Sequence, residues 1–132
     1  MQEKITHLLE RHEIFKLKGL QLNESDLFNW IALWEEMADA ITQLRSQYQE
    51  TKQENDKQKG LRMIELKADL DEKGKKKYTE STAEAVVRQE FYQKDLDLSV
   101  LKTQSELLQN KTGVINEYIN IVKMHLKKDF TS

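Results

Sequence analysis

The sequence predicts an all-α fold. A long antiparallel, coiled-coil-like helical hairpin follows a short N-terminal helix and arm, and the whole assembles into a homo-oligomeric helical bundle. Three observations predict it. The 132 residues include no proline and only four glycines, and 33% are charged against 38% hydrophobic, a balance that favours long solvent-facing helices over sheet. Between Val87 and Leu126, steps of four and three run unbroken through Val87, Phe91, Lys94, Leu98, Leu101, Ser105, Leu108, Thr112, Ile115, Ile119, Val122 and Leu126. Nine of these twelve are apolar, the stripe of a coiled-coil seam. A second stripe, Leu27, Trp30, Trp34, Met37, Ile41, Leu44 and Tyr48, is separated from the first by one Gly/Lys turn.

Residues 1–22 read as a unit of their own. Ile5, Leu8, Leu9 and His12 have helical spacing, whereas Ile14, Phe15, Leu17 and Leu20 mix two periods, so an extended arm is expected before Gly19 ends the unit. The arm's Phe15 and Leu17 need burial on a neighbouring helix or subunit.

Residues 23–132 form the hairpin. Asn23 or Ser25 can cap a helix over about 25–72, roughly 70 Å long at about 1.5 Å per residue. Its apolar stripe, with Trp30 and Trp34 read as core, fades from Gln49 to Gly60. It resumes about one residue out of phase at Leu61, Met63, Ile64, Leu66 and Leu70, which a continuous helix accommodates as a stutter. The basic loop 73–78 follows, with Gly74 suited to a left-handed helix end. Thr79 or Ser81 then caps a helix over about 79–128, Glu84 completing a capping box with Ser81. On that helix Val100, Leu107, Val114 and Ile121 add a row beside the seam, so the stripe is wider than a two-stranded pairing uses. Self-association is the expected remedy. Its contacts are assigned to Leu98, Leu101, Leu108, Ile115, Ile119, Val122 and Leu126.

The absence of cysteine excludes disulfides and thiol chemistry and fits a reducing, cytoplasmic setting. No apolar run is long enough to span a membrane, and the N-terminus lacks a signal peptide's basic start and apolar core. His7, His12 and His125 offer no i, i+4 ligand pair, and Gly74-Lys75 lacks the rest of a phosphate loop. Ser99-Lys102 and Lys111-Gly113 superficially match two serine-acyltransferase motifs, but both fall within one predicted helix. The chain is therefore expected to be no enzyme, with no cofactor, metal or small-molecule substrate.

The net charge of −2 is unevenly spread. Residues 21–56 carry eight acidic side chains against Arg45 and Lys52, whereas 59–78 carry seven basic ones against four acidic. Lys73, Lys75, Lys76 and Lys77 can neutralise phosphates, Tyr78 offers a face for a base, and Lys59, Arg62 and Lys67 stand behind them. The competing reading is a solvated turn that only keeps the tip soluble. In that case the chain is a structural or adaptor coiled coil, such as a phage assembly factor or a host-factor-binding inhibitor.

A sequence pattern runs nearly the length of the chain. It comprises Glu13-Ile14-Phe15-Lys16-Leu17, a capped helix carrying Trp34, Leu66-Lys67-Ala68-Asp69-Leu70, Lys77-Tyr78-Thr79-Glu80 and Ala85-Val86-Val87. In this the chain resembles the UvsY-type recombination mediators of phages. The resemblance implies a homo-oligomer in the host cytoplasm that binds single-stranded DNA. It also implies that the oligomer helps load a RecA-like recombinase onto strands covered by single-strand-binding protein. The acidic 21–56 segment departs from such a role, so Lys59–Lys77 must supply most of the DNA contacts.

Overall fold

The computed structural model describes residues 1–131, with side chains described as far as Lys128. The fold is all-α, with four helices among the described residues: α1 (Gln2–Lys18), α2 (Glu24–Ala68), α3 (Glu80–Glu90) and α4 (Tyr92–Thr131). Among the described residues the only β feature is one isolated bridge, Leu70 to Lys76. Contacts divide the chain into two units, Met1–Arg45 with the residues from Thr103 onward, and Ser46–Lys102. The division thus falls within α2 and α4, not at the expected boundary between 22 and 23.

In the first unit, α1, the first half of α2 and the second half of α4 pack around one apolar core. The helix α1 contributes Ile5, Leu8 and His12, and α2 contributes Trp30, Leu33, Met37, Ala40, Ile41 and Leu44. Leu108, Ile115, Ile119 and Val122 come from α4. Trp30 joins all three helices. Its ring lies 5.2 Å from Phe15, 6.2 Å from His12 and 5.1 Å from Tyr118, and its Nε1–H donates to Asp26 Oδ2 at 3.0 Å. The other oxygen-bonding work at this end is local. Asn23 caps α2 by accepting from the Asp26 amide at 2.8 Å, and Asp26 also accepts from the Gln21 amide at 3.1 Å.

Two expectations need correction in this unit. The extended arm does not form, because α1 continues through Ile14, Phe15 and Leu17 until Gly19 turns to φ 72°. The mixed periodicity had a different cause: Phe15 faces Trp30, whereas Ile14 and Leu17 remain 50% and 84% exposed on the outer side. Trp34, expected in the core, is 39% exposed, and Leu33 is buried in its place. With helices on two sides, α2 buries a wider face centred on Leu33, Met37, Ala40 and Leu44 than a single seam would use.

In the second unit α2 runs unbroken through Gly60 to Ala68, and a turn over 69–79 returns the chain to α3. Leu66, Ala83, Val87 and Phe91 make a small core, with Met63, Tyr78 and Val86 packed against it. Leu61, Ile64 and Leu70, expected on the resumed stripe, are exposed. Thr79 caps α3, its Oγ1 accepting from the Thr82 amide at 3.3 Å.

The expected single helix over 79–128 is interrupted at Phe91, where φ −98° and ψ 7° leave the helical basin. The backbone ladder survives the interruption. The Phe91 amide donates to the Val87 carbonyl at 3.0 Å, and the Asp95 amide donates to the Phe91 carbonyl at 2.9 Å. A buried aromatic, not a glycine or proline, stands at this break.

Candidate nucleic-acid interface

The lysine turn is a built structure. Gly74 sits at φ 76°, where a side chain would be strained, and its amide donates to the Asp71 carbonyl at 3.0 Å. Asp71 Oδ1 accepts from the amides of Lys73 and Lys75, both at 2.9 Å. The Asp71 amide reaches the Lys75 carbonyl at 2.8 Å, and the Lys77 amide reaches the Asp69 carbonyl at 3.0 Å. One acidic side chain thus organises the backbone of a basic loop, and Lys73, Lys75, Lys76 and Lys77 all project into solvent.

The structure separates the expected contact residues into two groups. Lys59 Nζ bonds Asp95 at 2.8 and 2.9 Å. Arg62 forks onto Glu90 at 2.8 and 3.0 Å and also reaches Glu65 at 3.0 Å. That contact holds the Glu90 carboxyl below the usual range and raises the guanidinium further above its own. Lys67 reaches Glu80 at 3.2 Å, and Lys77 lies 3.9 Å from Asp69 and 6.0 Å from the Tyr78 ring centre. Tyr78 is half-buried against the small core, so its ring is committed to packing.

Lys73, Lys75 and Lys76 remain. Among the described residues none of them has a carboxylate within ion-pair reach. The basic stretch of the sequence therefore contracts to three unpaired ammonium groups on one tight turn. Lys59, Arg62 and Lys67 lock α2 to the returning helices, and Lys77 pairs within the turn. A signal for this was present: folding the sequence back at Gly74 sets Lys67 near Glu80, Arg62 near Glu90 and Lys59 near Asp95.

The residues assigned to self-association are also differently employed. In the first unit Leu108, Ile115, Ile119 and Val122 are at most 5% exposed, covered by the chain's own helices, and Leu126 is half-buried. Leu98 and Leu101, in the second unit, are likewise half-buried. The neighbouring row stays open, at 54% for Val100, 41% for Leu107, 37% for Val114 and 48% for Ile121.

The second unit also has an open cleft of about 550 Å³ lined by Lys59, Met63, Glu84, Val87, Arg88 and Asp95. Its walls carry both signs of charge, which does not make an anion site. No group of three or more metal-ligating side chains occurs among the described residues. No family model, curated protein or solved structure matches the chain.

Proposed function

We propose that the chain is a non-enzymatic, self-associating helical protein that binds single-stranded DNA by its phosphates through the turn at Lys73, Lys75 and Lys76. The observation that carries this reading is that, of the seven cations between Lys59 and Lys77, these three clustered on one turn have no carboxylate partner among the described residues, while Lys59, Arg62, Lys67 and Lys77 are paired. Three phosphate contacts per chain make a weak site. Copies gathered by self-association act at high effective concentration and make a strong one. The open row on α4 supports association, since the inner seam is already covered. The finer role, loading a RecA-like recombinase onto strands covered by single-strand-binding protein in the host cytoplasm, rests on the sequence resemblance. No helix among the described residues is long and apolar enough to cross a membrane.

The test is binding of a fluorescent single-stranded oligonucleotide as salt is varied. With about three phosphates neutralised per chain, the slope of log affinity against log salt is about −2 per engaged chain. Raising salt from about 50 to about 200 mM should therefore weaken binding roughly fifteenfold per chain. Replacing Lys73, Lys75 and Lys76 with Glu should abolish binding and leave the helical content unchanged. Unaltered affinity in that variant would sink the turn as the site. No binding by an assembled oligomer at low salt would favour the adaptor reading, for which the exposed Leu17, Leu107 and Ile121 provide apolar contact points.

A further inference from the structure

His12 is the most unusual polar group in the first unit. Its ring is 2% exposed, and neither Nδ1 nor Nε2 has a hydrogen-bond partner. Buried imidazoles ordinarily satisfy at least one nitrogen, because an unpaired polar atom loses its water without compensation. The ring meets Trp30 in an edge-to-face arrangement, with 6.2 Å between centroids at 75°. An imidazolium would bring two N–H donors and a full charge into the same apolar space.

We infer that His12 makes the docking of α1 a proton-operated latch: when the ring takes up a proton, α1 is released from Trp30 and the first unit opens. The charged groups around the ring fit this role. On α1, Glu13 Oε1 stands 3.8 Å from Nδ1 and favours the proton, and Lys16 opposes it. From α4, Lys111 opposes it as well. From α2 the facing group is the uncharged Trp30 indole, and Glu36 is engaged by Arg11 of α1. Burial is the largest influence and Lys111 the next, and together they outweigh Glu13 and hold the ring's pKa below its usual 6.5.

The direction of the linkage follows. A histidine whose folded pKa is depressed stabilises the docked state above its unfolded pKa, and that stability is lost as pH falls. Below pH 6.5 the undocked state binds one more proton, so the docked-to-undocked ratio falls by about tenfold per pH unit until the docked ring itself titrates.

The experiment is hydrogen exchange of the full chain between pH 8 and pH 5, corrected for intrinsic rates, with Trp fluorescence alongside. Amides of Gln2–Lys18 should lose protection below pH 6.5 at about tenfold per unit, while α3 amides keep theirs. The variant His12→Leu should hold α1 docked across the range. Should that variant fold poorly, NMR titration of the three imidazoles in the native chain decides the matter. The inference requires His12 to titrate together with the loss of α1 protection. It is overturned if α1 stays protected to pH 5, if His12→Leu loses protection identically, or if His12 titrates with α1 still docked.

Discussion

The two units are held by different means. The first buries twelve apolar side chains of the described residues, with Trp30 as a shared anchor, and joins Arg11 of α1 to Glu36 of α2. The second buries four, Leu66, Ala83, Val87 and Phe91, and between its helices places Lys59–Asp95, Arg62–Glu90 and Lys67–Glu80. Exposed ion pairs contribute little energy each, but they discriminate strongly against slipped pairings, because a slip sets like charges together. Where the apolar stripe thins, charge supplies the alignment that packing supplies elsewhere. The same trade consumes Lys59, Arg62 and Lys67 of the basic stretch, and leaves Lys73, Lys75 and Lys76 on the turn without a carboxylate partner.

The largest expected effects separate the two cores. Leu108→Ala removes a side chain that is 0% exposed and should cost about 2–5 kcal/mol in denaturant unfolding. Phe91→Ala should cost a similar amount, about 3–5 kcal/mol, but with a different distribution. Its loss empties a core of four residues, so hydrogen exchange should show residues 46–102 opening while α1 amides keep their protection. If Phe91→Ala accelerated exchange evenly through both units, the distinction between them would collapse.

Legibility in the sequence followed the range of the interactions. The seam on α4 was readable because burial there repeats along one helix, and Leu108, Ile115, Ile119 and Val122 all lie inward. The lysine turn was readable because Gly74 and Asp71 act within five residues. Three features were not. The break at Phe91 keeps its hydrogen-bond ladder and has no breaker residue, so local pattern cannot mark it. The exchange of Trp34 for Leu33 depends on α1 packing from a second side, and the apparent arm depended on which face of α1 meets Trp30. The pairing of Lys59, Arg62 and Lys67, by contrast, follows from the turn itself, since folding back at Gly74 sets each beside its partner.

Helix-interior glycines give a smaller and matched comparison. Gly113 in α4 of the first unit and Gly60 in α2 of the second have nothing within 4 Å of an added Cβ. Each change to Ala should therefore stabilise its helix by about 0.8–1 kcal/mol, through propensity alone. In the first unit the gain should raise the global unfolding midpoint. In the second it should chiefly slow local exchange around residue 60. Loss of stability at either position would mean that the glycine serves an approach the chain makes elsewhere, as on association.

The smallest effect tests the role assigned to charge. Lys59 and Asp95 are 30% and 40% exposed and 2.8 Å apart, so a double-mutant cycle with Lys59→Met and Asp95→Asn should give a coupling of only about 0.2–1 kcal/mol. Salt near 1 M should reduce it further, because the screening length falls to about 3 Å. The informative variant is the swap Lys59→Asp with Asp95→Lys. Alignment by charge complementarity predicts that either single change is worse than its neutral counterpart, and that the swap restores most of the loss at low salt. Arg11 and Glu36 provide the control in the first unit, where twelve buried apolar side chains fix the packing. Reversing Arg11 alone should cost little more than neutralising it. Equal penalties at the two sites would show that charge aligns both units or neither.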